Sequence, residues 1–117
     1  MNLLRRGMII DVNLEPVKGS ETGKTRPCIV ISNDSYNARV PVIQVIPITE
    51  WSEKKARIVT NIVLQPSANN GLDKRSLADC LQTRPIDWKS RFVRIRGHLQ
   101  SEELTAISVA LKLVFAL

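Results

Sequence analysis

The side chains best suited to chemistry crowd into one short stretch, Pro16-Val17-Lys18-Gly19-Ser20-Glu21-Thr22-Gly23-Lys24-Thr25-Arg26-Pro27. It holds two lysines, one arginine, one carboxylate and three hydroxyls. That mixture suits an anion: cations attract it, hydroxyls orient it, and Gly19 and Gly23 let the backbone approach closely. The stretch mimics a phosphate-cradling P-loop, but Gly19-x3-Gly23-Lys24-Thr25 is one residue short of the required spacing. Taken alone, it is read first as a solvated loop between two strands.

The rest of the chain narrows the chemistry by what it lacks. His98 is the single histidine, so a ribonuclease working with two imidazoles is excluded within one chain, as is a multi-histidine zinc site. His98 follows Gly97 near a turn and is expected to be a surface or capping residue. The eleven acidic residues are scattered and interleaved with basic ones, which argues against a carboxylate-clustered metal nuclease. No cofactor or metal is expected. Cys28 and Cys80 share no CxxC spacing and sit in apolar surroundings, so they read as buried free thiols of a reducing compartment.

Seventeen lysines and arginines against eleven acids give a net charge of +6 in 117 residues. Such a balance favours an anionic partner such as nucleic acid or an acidic protein segment. The length suits one domain, expected to span residues 1–117, with a core that needs no staples. The apolar run Leu113 to Leu117 is far below the roughly 20 residues that cross a bilayer. The N-terminal segment offers no signal-peptide apolar region. A cytoplasmic protein without membrane attachment is the expectation.

The elements that must position these residues are mostly strands. Gly7 to Leu14 alternates in part, and Pro27 to Ser32 and Val42 to Ile48 are short continuous apolar runs that read as buried strands. Ile58 to Leu64, Ser76 to Thr83 and Phe92 to Gly97 complete the set. Asp34 to Asn37 suggests one helical turn, Glu50 to Arg57 a charged loop, Asn69-Asn70-Gly71 a turn and Asp87 to Ser90 a turn or short helix. From Ser101, a candidate N-cap followed by Glu102 and Glu103, Leu104, Ile107, Leu111 and Val114 recur at helical spacing. A second apolar stripe, Ala106, Ala110, Leu113 and Leu117, leaves a narrow polar strip and suits a subunit interface. The sum is a mainly β fold, a small open barrel closed by a C-terminal helix.

Several of these segments together carry a resemblance. Arg6-Gly7, Gly19-Ser20-Glu21 with Arg26-Pro27, Val30-Ile31-Ser32-Asn33-Asp34 with Asn37, Pro47-Ile48-Thr49, Asn70-Gly71-Leu72-Asp73-Lys74-Arg75-Ser76, Gln82-Thr83-Arg84 with Ile86-Asp87, and Gly97-x-Leu99 follow in order. They resemble the MazF/PemK (Kid-like) toxins of type II toxin–antitoxin systems along nearly the whole chain. The resemblance implies an SH3-like open β-barrel, a homodimer, and metal-independent, sequence-specific cleavage of single-stranded RNA through a 2′,3′-cyclic phosphate. It implies a catalytic pair matching Arg26 and Thr49, and a cognate acidic, MazE-like antitoxin as partner. Related CcdB-type proteins share the fold but poison gyrase without cutting RNA, and they form the alternative.

The residue chemistry agrees with that implication. A guanidinium forked onto two phosphate oxygens stabilises the charge of a phosphorane as it develops. A threonine hydroxyl can donate to a non-bridging oxygen and hold the phosphate in line. Arginine is a poor base at its ordinary pKa, so its acid–base role rests on the resemblance. Glu21 is a candidate helper, as base, as orienter of Arg26, or as a simple ion-pair partner of Arg26 or Lys24. Gln82 matches a position that faces RNA, where its amide can read a base edge or serve a strand hydrogen bond. Ser20 belongs to the same substrate-binding set, and Lys18, Lys24 and Arg84 are candidate phosphate contacts. Trp51 and Trp88 could stack on unpaired bases but fit partial packing better.

Overall fold

A computed structural model describes residues 3–117. Met1 and Asn2, the start both of the expected domain and of the segment read for a targeting signal, lie outside the described residues. Seven strands and four helices follow one another: β1 (Met8–Asn13), β2 (Thr25–Val30), α1 (Asp34–Asn37), β3 (Val42–Glu50), α2 (Glu53–Ala56), β4 (Asn61–Leu64), β5 (Ser76–Asp79), β6 (Arg84–Asp87), α3 (Trp88–Arg91), β7 (Phe92–His98) and α4 (Ser101–Phe115). A 3₁₀ turn, Cys80–Gln82, joins β5 to β6.

All strand pairs are antiparallel, in the order β4-β5-β3-β2-β1-β7. The nine-residue β3 is the spine. Its first half pairs with β6, Val42 to Val45 against Asp87 to Arg84. Its second half pairs with β5, Ile48 to Glu50 against Ala78 to Ser76. Two partners on one long strand curl the sheet into the expected open, barrel-like form. Both faces of the sheet are covered, and for that reason the central strands read as continuous apolar runs. Ile9, Ile29 and Ile46 join the core beneath α4 with Ile107 and Ala110. Their neighbours Ile10, Val12, Cys28, Val30 and Val45 build a second core with Ile43, Ile86, Trp88 and Phe92.

Several expectations need correction: the expected strand Ile58 to Leu64 begins only at Asn61, and Arg84–Asp87 forms a strand that the patterning did not announce. The expected strand Ser76 to Thr83 stops at Asp79, because the chain must turn a corner from one half of β3 to the other. The Cys80 N–H bonds Thr60 O at 3.2 Å and the Thr83 hydroxyl bonds Val45 O at 3.1 Å, and these long-range partners shape the corner. The charged loop after Glu50 contains α2, whose N-cap Ser52 accepts from the Lys55 N–H at 3.2 Å. The last helix is capped one residue earlier than expected: Gln100 is the N-cap, and its N–H donates to Glu103 Oε1 at 2.9 Å. Cys28 and Cys80 are buried free thiols, and burial pushes each up to about 12.

Candidate active site

Arg26 and Thr49 come from neighbouring strands. Cys28 of β2 pairs with Pro47 of β3. Two residues before Cys28 and two after Pro47, on the same face by the alternation of a pleated strand, stand Arg26 and Thr49. Both line an open groove of about 740 Å³. Arg26 is half-buried, and its Nε donates to the Gly23 carbonyl at 2.8 Å. One edge of the guanidinium is thus tied to its own loop, which leaves the two Nη groups as a fork for an anion.

The loop that carries Gly23 is closed at its neck by Lys24. The Lys24 backbone is left-handed (φ 67°), its N–H donates to Glu15 Oε1 at 2.6 Å, and its carbonyl accepts from Leu14 N–H at 2.9 Å. Gly23 serves this packing. A Cβ there would lie 2.4 Å from Glu15 Oε1 and 2.7 Å from Val17 Cγ2. Gly19 has open space around its Cβ position.

The other expected site residues divide into two groups. Ser20, Glu21, Lys24 and Gln82 line the groove with Arg26 and Thr49. Lys18 and Arg84 line a second groove of about 620 Å³ on the far side of the loop, with Glu21, Thr22 and Gln82 as the shared wall. The expected ion pair of Glu21 with Arg26 or Lys24 is not what its carboxylate makes. Oε1 accepts from the Lys18 N–H at 2.7 Å, closing a turn at the loop tip. Arg84 spends an Nη on Leu14 O at 3.2 Å, and the Gln82 amide lies within hydrogen-bonding distance of Thr22 N, Asp79 Oδ2 and Ser20 O. Trp51 is capped by Arg75, whose Cζ lies 3.5 Å from the ring centroid, and Trp88 packs on the second core. His98 is exposed at the end of β7.

The structure adds groove residues that sequence reasoning passed over. Glu50, next to Thr49, meets Lys74 in an ion pair. The hydrogen bond and the charge of Lys74, with Arg26 and Lys55 nearby, hold the Glu50 carboxyl below its ordinary pKa. Its adjacency to Thr49 was the available signal. Lys55, Asp73, Asp79 and Arg96 also line the groove. Arg96 is positioned by Asp11, which is 6% exposed and bonds Arg96 Nε at 2.6 Å and Arg94 Nε at 2.6 Å. Arg96 Nη1 also reaches Gly71 O at 2.8 Å, fixing the turn that carries Asp73 and Lys74. Among the described residues, no three His, Cys, Asp or Glu side chains gather as a metal site. No helix among them is long and apolar enough to cross a membrane.

The chain is 35% identical over 116 residues to endoribonuclease MazF9 of Mycobacterium tuberculosis, covering 95% of each chain. It is 32% identical over 115 residues to endoribonuclease MazF of Staphylococcus saprophyticus, covering 98% of this chain and 93% of that one. The fold matches the crystal structure of MazF from Deinococcus radiodurans with a TM-score of 0.85 over the whole of both chains, at 20% identity. It also matches a MazE–MazF crystal structure from the same organism with a TM-score of 0.78, at 20% identity over 100% of this chain and 99% of that one. The family of PemK-like, MazF-like toxins of type II toxin–antitoxin systems matches residues 5–115, and the chain belongs to it.

Proposed function

We propose that this chain is a toxin endoribonuclease that cuts single-stranded RNA at a short sequence without a metal ion. The observation that carries the reading is the convergence of Arg26 and Thr49 in one groove, with the guanidinium tied to Gly23 O by Nε. The 2′-hydroxyl attacks its own phosphate, the P–O5′ bond breaks, and a 2′,3′-cyclic phosphate and a 5′-hydroxyl result. The Arg26 fork takes the charge that develops on the non-bridging oxygens, and the Thr49 hydroxyl donates to one of them. The net transfer of a proton from the 2′-oxygen to the 5′-oxygen falls to Arg26 by family resemblance, while the Glu21 carboxylate at the groove wall closes the loop tip on the Lys18 N–H. Lys24 and Ser20 contact the RNA in the groove, and Lys18 and Arg84 extend the phosphate track into the second groove.

The partner is an antitoxin with an acidic, flexible segment that folds over the basic groove and competes with RNA. One structural relative is a MazE–MazF complex, which supports this partner class. A homodimer is built through α4 and neighbouring strands, where Val109, Leu113 and Phe115 are each more than half exposed. A monomer at micromolar concentration by sedimentation would refute it.

The test is cleavage of a long single-stranded RNA in EDTA, with end mapping and Arg26→Ala in parallel. Discrete cuts bearing 5′-hydroxyl ends, absent in the variant, are expected. Undiminished cutting by purified Arg26→Ala would sink the site assignment. Gyrase binding without RNA cleavage would favour the CcdB-like alternative, against which the pairing of Arg26 with Thr49 already argues.

A further inference from the structure

Gln82 sits in the 3₁₀ turn between β5 and β6 and reaches into the wall shared by the two grooves. Its Oε1 accepts from the Thr22 N–H at 2.5 Å. Its Nε2 donates to Asp79 Oδ2 at 3.1 Å and lies 3.5 Å from the Ser20 carbonyl. The two ends of the amide face partners of opposite demand. A backbone N–H requires the oxygen and a carboxylate requires the NH₂, so the network dictates the orientation of the side chain.

The residue after Thr22 is Gly23, whose carbonyl holds Arg26 Nε at 2.8 Å. A continuous chain therefore runs from Asp79 through Gln82 to the loop tip and on to the guanidinium. The loop's other bonds at Lys18, Glu21 and Lys24 are internal to it or close its neck. An exposed polar loop held mainly by such bonds opens locally at little cost. The Gln82 amide ties its tip to the sheet.

We propose that Gln82 is a positioning residue: it clamps the Ser20–Gly23 loop tip to the barrel, so that the Gly23 carbonyl presents the Arg26 guanidinium at one place in the groove. Any contact with a base edge would have to use the spare lone pair and second N–H of an amide already held by Thr22 and Asp79. The activity readout rests on the endoribonuclease reading above, whereas the clamp itself can be measured without RNA.

The full-length chain carrying Gln82→Met keeps the length of the side chain and loses both hydrogen-bonding ends. By NMR, the Thr22 amide should exchange about tenfold faster in the variant, the factor expected for one lost hydrogen bond. At saturating RNA the rate should fall by about tenfold to a hundredfold, since a displacement on the order of 1 Å at a reacting group has that effect. The cut sequence should not change and KM should stay within a few-fold. Gln82→Glu supplies a second variant. It keeps an oxygen for the Thr22 N–H but faces Asp79 as a like charge, so its rate at saturating RNA should also fall while the cut sequence stays the same. An unchanged Thr22 exchange rate in Gln82→Met, or a new cut sequence at an undiminished rate, would overturn the clamp. If the parent chain cuts no RNA, the endoribonuclease reading fails, and the exchange measurement still decides the clamp.

Discussion

Replacing Arg26 with lysine separates charge from geometry at the proposed centre. The guanidinium has one donor already committed, Nε to Gly23 O at 2.8 Å, and two Nη groups left for a phosphate. Lysine keeps the positive charge but has a single nitrogen at the end of a flexible stem. It can hold the carbonyl or the phosphate, and it cannot fork onto two oxygens. A hydrogen bond to a charged group contributes about 1.5–3 kcal/mol, and loss of one preorganised donor at a developing oxyanion costs about 10²–10³ in rate. With 1.36 kcal/mol per tenfold, these ranges meet near a factor of about 100. The long-range attraction to RNA survives, so KM should move only a few-fold. The assay is single-turnover cleavage of a labelled single-stranded RNA containing the mapped site, in EDTA, with protein in excess. A cleavage rate within threefold of the parent would refute transition-state stabilisation by the fork. A change confined to KM would mean that Arg26 only binds the ground state.

Thr49→Val keeps the shape and removes the hydroxyl; cleavage at saturation should fall by roughly tenfold or more, and an unchanged rate would remove Thr49 from the reaction. Asp11→Ala strips the partner of Arg96, whose side chain is only 18% exposed; urea unfolding should show a loss of roughly 2–3 kcal/mol, less than for a fully buried pair because Arg94 is exposed. The two thiols are pushed from 9.0 to about 12 by burial. Between those values the native state keeps protons that the unfolded chain releases, so stability should hold below pH 9 and decline as pH rises towards 12. Urea midpoints at pH 8 and pH 10 check the sign, and a flat profile would contradict the burial of Cys28 and Cys80.

Local patterning carried the sequence a long way. Continuous apolar runs at Pro27 to Ser32 and Val42 to Ile48 announced strands covered on both faces, and the spacing of Leu104, Ile107, Leu111 and Val114 announced a helix against the sheet. The crowding of charge and hydroxyls between β1 and β2 pointed to an anion, although by itself it read first as a solvated loop. These signals are legible because period and composition act over a few neighbouring residues. The family-wide order of short motifs then paired Arg26 with Thr49, which lie 23 residues apart along the chain (49 − 26).

Only the tertiary structure decided what each polar group does once that pairing is made. Glu21 is an expected helper in sequence terms, yet its carboxylate closes a turn on the Lys18 N–H. Asp11 and Arg96 are 85 positions apart and give no local sign of their ion pair. The corner at Cys80 to Gln82 exists because β3 takes different partners along its two halves, a demand that no propensity within Ser76 to Thr83 encodes. Hydrogen bonds and ion pairs depend on distances of about 3 Å and on direction, and such distances are set by the register and curl of the whole sheet. Residue type limits which bonds a side chain can make; the packing of distant strands selects the one it forms.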